Sequence, residues 1–177
     1  KITPDEIQAK TYNSFAYNIV KFEYEELGFK NVPNVIDDVR NRRIINEMLG
    51  ETQVGGLDYI NFKSNTKNLK GALACVEKTF DIIKTEHIDV NTVGAEEELA
   101  KQLRDAGFLR FMSNSVPQII GMYNDYQQRL LEDSLITFAD QEPMMFKILK
   151  AHPGYLERLG FKHIIVDEFQ DSNDIQR

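Results

Sequence analysis

Apolar residues along this chain recur mostly at three- and four-residue steps, the spacing of helices that bury one face. Phe15, Tyr17, Ile19, Val20, Phe22 and Leu27 predict a helix that Ser14 caps and Gly28 stops. The residues before it, Ala9 to Asn13, read as extended. Val35, Val39, Ile45, Met48 and Leu49 predict a second helix over 34–49, closed by Gly50. The pattern breaks at Gly55 and Gly56, then resumes over 65–84 with Leu69, Leu73, Val76, Phe80 and Ile83. A turn-rich stretch, His87 to Gly94, precedes a helix over 95–106 that Gly107 ends. Ile119, Ile120, Tyr123, Tyr126, Leu130 and Leu131 form the strongest stripe, over 116–132, with Pro117 in its first turn. A last helix is predicted over 138–149, with Pro143 near its start.

The period then changes. His163 to Val166 is a short β-branched run after Gly160 that ends in acids, the pattern of a buried parallel strand. One strand makes no sheet. The expected fold is therefore mainly α, with a short strand belonging to an α/β domain not completed within these residues.

Composition narrows the function. The 177 residues carry 21 basic and 28 acidic side chains, a net charge of −7, which argues against a surface that coats DNA generally. The longest apolar run is Ala72 to Val76, too short to cross a membrane, and no signal peptide is visible. Cys75 is the single cysteine, so no internal disulfide or cysteine-based zinc site is expected, and a reducing cytoplasmic setting fits. His87, His152 and His163 lack metal-ligand spacing and are read as surface or packing residues. Cys75 is read as a small core residue.

The chemistry concentrates at the end: Ile164-Ile165-Val166-Asp167-Glu168-Phe169-Gln170-Asp171. An apolar strand running into Asp-Glu is the Walker B arrangement. The first carboxylate can hold Mg²⁺ on nucleotide phosphates, and the second can act as general base toward water. Asp-Glu alone is common by chance, and its bland reading is a strand end with solvated acids.

The longer string decides between them. Val166 to Asn173, with Gln176 beyond, closely resembles motif II of superfamily 1 DNA helicases of the UvrD, Rep and PcrA type. Ser172 stands where that family usually has Thr. Tyr123 to Asp140 resembles the family's helix and following Asp-Phe-Asp-Asp segment, in which Thr137 and Ala139 replace two acids and Asp140 carries over. Thr11-Tyr12-Asn13-Ser14-Phe15-Ala16 is similar to the Thr-Phe-His-Ser motif along single-stranded DNA, with Asn13 at the usual His. Lys67-Asn68 is a further Lys-Asn pair in a comparable place.

The resemblance implies an ATP-dependent helicase or translocase using ATP and Mg²⁺, moving along single-stranded DNA (commonly 3′ to 5′ in that family) and unwinding duplex. Asp167 would hold the metal and Glu168 would activate water, with Gln170 and Asp171 linking the nucleotide site to its surroundings. Thr11, Tyr12 and Asn13 would border DNA. Read from the residues alone, Lys63 and Lys67 are further DNA-contact candidates, Tyr12 is the stacking candidate and Phe15 a packing residue. Residues 61–70 hold three lysines and no acid beside Phe62, a pattern that suits a phosphate-tracking surface but is more usual in a solvated helix start. Arg40, Arg42 and Arg43 are also basic, but Asp37 and Asp38 are expected to offset them.

No Gly-x-x-x-x-Gly-Lys-Ser/Thr occurs. The family's P-loop would precede residue 1, and its later motifs would follow residue 177. The chain then reads as an edge of the first RecA-like motor domain (1–13), its helical insertion subdomain, 1B (14–160), and the motor strand with motif II (161–177). Its partners would be single-stranded and duplex DNA and the remaining motor domains, with no membrane. The rival reading is a non-catalytic helical interaction module that has kept a helicase-like sequence.

Overall fold

The computed structural model describes residues 9–50, 69–107, 116–167 and 169. They are mainly helical, with seven helices and one two-stranded sheet among them. Two compact units share the chain. One takes its two ends, up to Pro33 and from Asp140 onward, and the other is Asn34–Ala139.

In the terminal unit, α1 spans Tyr12–Phe22. Its cap is Thr11, not Ser14: the Thr11 hydroxyl accepts the Ser14 amide at 3.2 Å, the usual bond from an N-cap side chain to the third helical amide. Tyr12 and Asn13 are consequently helical, so only the residues before them fit the extended expectation. The helix also stops earlier than the apolar stripe suggested. At Glu23 the backbone leaves helical geometry, and residues 23–29 are closed by turns, including Phe29 N–H to Tyr24 O at 3.1 Å. Gly28 completes this turn at φ +89°, where a side chain would be strained. Ala16 and Ile19 pack with Met145 and Ile148 of α6 (Phe138–Ala151) and with Tyr155. Tyr155 opens α7 (Tyr155–Arg158), a single turn that periodicity could not signal.

The expected strand at 163–166 does not form. No described segment pairs with it, and Ile164 and Ile165 are 60% and 94% exposed. A β-strand exists through its ladder of interstrand hydrogen bonds, so an apolar run without a neighbour stays irregular.

The other unit begins where sequence reading expected a helix. Asn34–Val35 is instead β1, paired in parallel with β2, Leu135–Ile136. Helix α2 starts only at Asp38 and runs to Gly50. Asp37 sets that start, because its carboxylate accepts the Arg40 amide at 2.8 Å while its carbonyl accepts the Asn41 amide. Val39, counted in the apolar stripe, is 78% exposed.

Helices α3 (Leu69–Thr85), α4 (Ala95–Asp105) and α5 (Val116–Glu132) follow. The last matches its expected bounds, and α4 ends one residue short of the expectation, with Gly107 at φ +79° beyond it. Glu96, Glu97 and Glu98 occupy the first turn of α4, where the helix dipole favours acids. Val76, Phe80, Leu99, Ile119, Met122 and Tyr126 meet in one core, and Cys75 is buried in it as expected. No described helix is long and apolar enough to cross a membrane.

Candidate nucleotide and DNA site

The described part of the candidate site lies in the terminal unit. Asp167 is exposed at the end of the irregular 161–166 segment. Phe161, which begins that segment, meets Phe15 of α1 edge-on, with ring centroids 5.6 Å apart. Phe15 is therefore a packing residue, as expected. The contact joins the segment leading to Asp167 with the helix that carries Tyr12 and Asn13. Thr11 is exposed and engaged as the α1 cap, while Tyr12 and Asn13 are half-buried in its first turn. Glu168, Gln170, Asp171, Lys63 and Lys67 lie outside the described residues, as do residues 61–68 of the lysine-rich stretch.

Asp167 offers a hard, solvent-facing carboxylate oxygen. That donor suits Mg²⁺, which keeps several waters and takes one or two protein carboxylates beside substrate phosphates. Among the described residues no group of three or more His, Cys, Asp or Glu could hold a metal ion by itself.

The turn after α1 is fastened by two side-chain bonds that sequence reading did not find. Tyr155 donates to Glu23 at 2.7 Å, and His152 Nε2 lies 2.7 Å from Glu26 Oε2. Burial, then the bond to Glu23 and its charge, push the Tyr155 hydroxyl up to about 12. His152 is thus a surface partner of a carboxylate, consistent with the surface role expected of it. Its partner is 126 residues away in sequence, a separation no local pattern reports.

In the other unit, two of the arginines of α2 meet acids other than the expected Asp37 and Asp38. Arg42 faces Glu77 at 3.5 Å and Arg43 faces Glu47 at 3.0 Å, while Asp37 serves the helix start. Burial raises the Glu77 carboxyl, and the Arg42 charge opposes that rise. Glu47 also accepts from Arg129 at 2.9 Å. Beside Arg129 is an open groove lined by Asp125, Gln128, Glu132 and Asp133, whose acidity suits no polyanion. A second unforeseen feature is buried: the Lys84 ammonium donates to Thr137 at 2.9 Å within a network that includes Tyr126 and Asn41.

A family model described as the UvrD/REP helicase N-terminal domain matches residues 3–177. The chain is 24% identical over 168 residues to a probable DNA helicase II homolog of Mycoplasma capricolum subsp. capricolum. It is 25% identical over 168 residues to the ATP-dependent DNA helicase UvrD1 of Mycobacterium leprae. Each alignment covers 94% of this chain and about a fifth of the relative, 20% and 19% respectively. No solved structure matches.

Proposed function

The chain belongs to the UvrD/REP helicase N-terminal domain family, and from that premise we propose that it forms part of an ATP-dependent DNA helicase. The observation that carries the proposal is the Val166–Asn173 string, an apolar run followed by Asp167 and Glu168, within a chain that matches this family over residues 3–177. In the parent protein ATP hydrolysis drives movement along single-stranded DNA and duplex unwinding.

The two carboxylates divide the work. Asp167 holds Mg²⁺, which when bound neutralises charge on the nucleotide phosphates. Glu168 orients a water molecule and takes its proton as the water bonds to the γ-phosphorus and the bond to the bridging oxygen breaks, releasing ADP and phosphate. Gln170 and Asp171 couple this site to its surroundings. Thr11, Tyr12, Asn13, Lys63 and Lys67 border single-stranded DNA, the lysines meeting phosphates and Tyr12 offering a ring to a base. The 161–167 segment becomes a strand when the parallel sheet of a RecA-like motor domain pairs with it. Exposure of Ile164 and Ile165 supports that reading, because a buried parallel strand is apolar on both faces.

By itself the 177-residue chain does not hydrolyse ATP. Phosphoryl transfer needs a backbone cradle and a lysine on the phosphates, and the sequence contains no P-loop motif. Steady-state ATPase on the pure chain, with and without single-stranded DNA, checks this. DNA-stimulated turnover that follows the chain through successive columns would overturn it.

DNA binding by the chain is weak and salt-sensitive. A net charge of −7 opposes a polyanion, leaving a few lysines to neutralise phosphates. Two or three such contacts predict an affinity loss on the order of tenfold between about 50 and 200 mM salt. Anisotropy of a labelled oligonucleotide across a salt series reads this directly. Tight binding that persists at high salt would mean that base stacking dominates instead.

A further inference from the structure

Lys84 is the most deeply buried cation among the described residues, at 6% exposure. An ammonium removed from water must be held by polar partners, or its burial is strongly unfavourable. Here it donates to Thr137 Oγ1 at 2.9 Å and to Tyr126 Oη at 3.4 Å, and it lies 4.9 Å from the centre of the Tyr126 ring. Tyr126 in turn donates to Asn41 Oδ1 at 2.6 Å. One lysine thus gathers α2, α3, α5 and the residue that follows β2.

Thr137 has a particular position. The chain enters this unit at Asn34 and leaves it at Ala139, and β1 and β2 lie at those two ends. Their pairing is very short. Asn34 N–H donates to Ser134 O and Ile36 N–H to Ile136 O, both at 2.8 Å. A two-residue parallel pair is marginal without side-chain support, because so few bonds offset the ordering of both segments. Ser134, the residue before β2, has φ +50°, a left-handed conformation that costs a non-glycine residue energy. The pairing therefore needs a fastening from outside the ladder.

We propose that Lys84 is that fastening: by holding Thr137 it locks β2 against β1 and so closes the two ends of the 34–139 unit together. The lock concerns this unit alone and does not depend on the proposed helicase activity. A bond from a charged donor is stronger than a neutral one, and here it acts at the residue next to the pair.

Amide-resolved hydrogen exchange on the 177-residue chain tests the lock. Thr137→Val keeps the side-chain shape and removes the acceptor, whereas Thr137→Ser keeps a hydroxyl. With Val, exchange at the Asn34 and Ile36 amides is expected to quicken about tenfold or more, while Leu99 and Leu103 in α4 stay within about twofold. Ser should restore slow exchange at the first two sites. Lys84→Met should quicken those sites as well, and adding Thr137→Val to it should change them little further. If Lys84→Met fails to fold, the Val and Ser comparison decides alone. Unchanged exchange at Asn34 and Ile36 in Thr137→Val would overturn the proposal. So would parallel acceleration throughout the unit, or factors for Lys84 and Thr137 that simply multiply.

Discussion

Replacing Glu168 by Gln in the complete parent protein should lower ATP turnover a hundredfold to ten-thousandfold, the usual range for a positioned general base. The amide retains the size of the side chain and its capacity to orient water, but it cannot take the proton that water loses on attack. Nucleotide affinity should change little, since metal and phosphate contacts are assigned to Asp167 and other parts of the motor. Unwinding should disappear together with hydrolysis. Steady-state turnover with saturating single-stranded DNA gives the first quantity, and titration with a slowly hydrolysed ATP analogue gives the second. Near-normal turnover would remove Glu168 from the role of base.

The largest stability effect should come from Tyr126. Its side chain is fully buried, its ring lies 4.9 Å from that of Phe80, and its hydroxyl joins Lys84 to Asn41. Tyr126→Ala leaves a cavity the size of an aromatic ring and removes the hydroxyl from a buried lysine. Removal of large aromatic side chains from cores costs about 3–5 kcal/mol. For a chain of this length that corresponds to a fall of roughly 10 °C or more in the unfolding midpoint. Tyr126→Phe retains the ring and loses only the hydroxyl, so its expected cost is about 1–2 kcal/mol. Thermal unfolding followed by circular dichroism compares the two. Equal losses would mean that the hydroxyl, and not ring packing, dominates at this position.

Long helices were the legible part of the fold. In α5 the apolar steps and Pro117 gave both ends, although Met122 is fully buried while the expected Ile120 and Tyr123 are only half-buried. In α4 the glycine after the stripe marked the stop. What escaped is what carries no period. β1 and β2 are two residues each, and their pairing joins positions about a hundred apart. Asp37 escaped as well, since Asp37 and Asp38 are interchangeable by composition and only the observed bond to the Arg40 amide separates them. His163 to Val166 had the composition of a strand, but strand formation depends on a neighbour that composition cannot supply.

The family was legible for a different reason. Val166 to Asn173 fixes residue type at successive positions, so little of it arises from packing alone, and the family match bears out the resemblance. Lys84 was hidden because a lysine in the last turn of a helix ordinarily faces water. Its burial follows from Tyr126 and Thr137, which the fold brings to it from 42 and 53 residues away.

On the proposed function, Asp167 and Glu168 act on one nucleotide in different ways, the first holding its metal and the second its attacking water. Mg²⁺-dependent ATP affinity of the complete parent protein, measured for Asp167→Asn beside Glu168→Gln, tests that division most directly. Asp167→Asn should weaken binding in Mg²⁺ and lose most of the metal dependence, while Glu168→Gln should bind about as tightly as the unaltered protein. Full Mg²⁺-dependent affinity in Asp167→Asn, or equal weakening in both variants, would contradict that division.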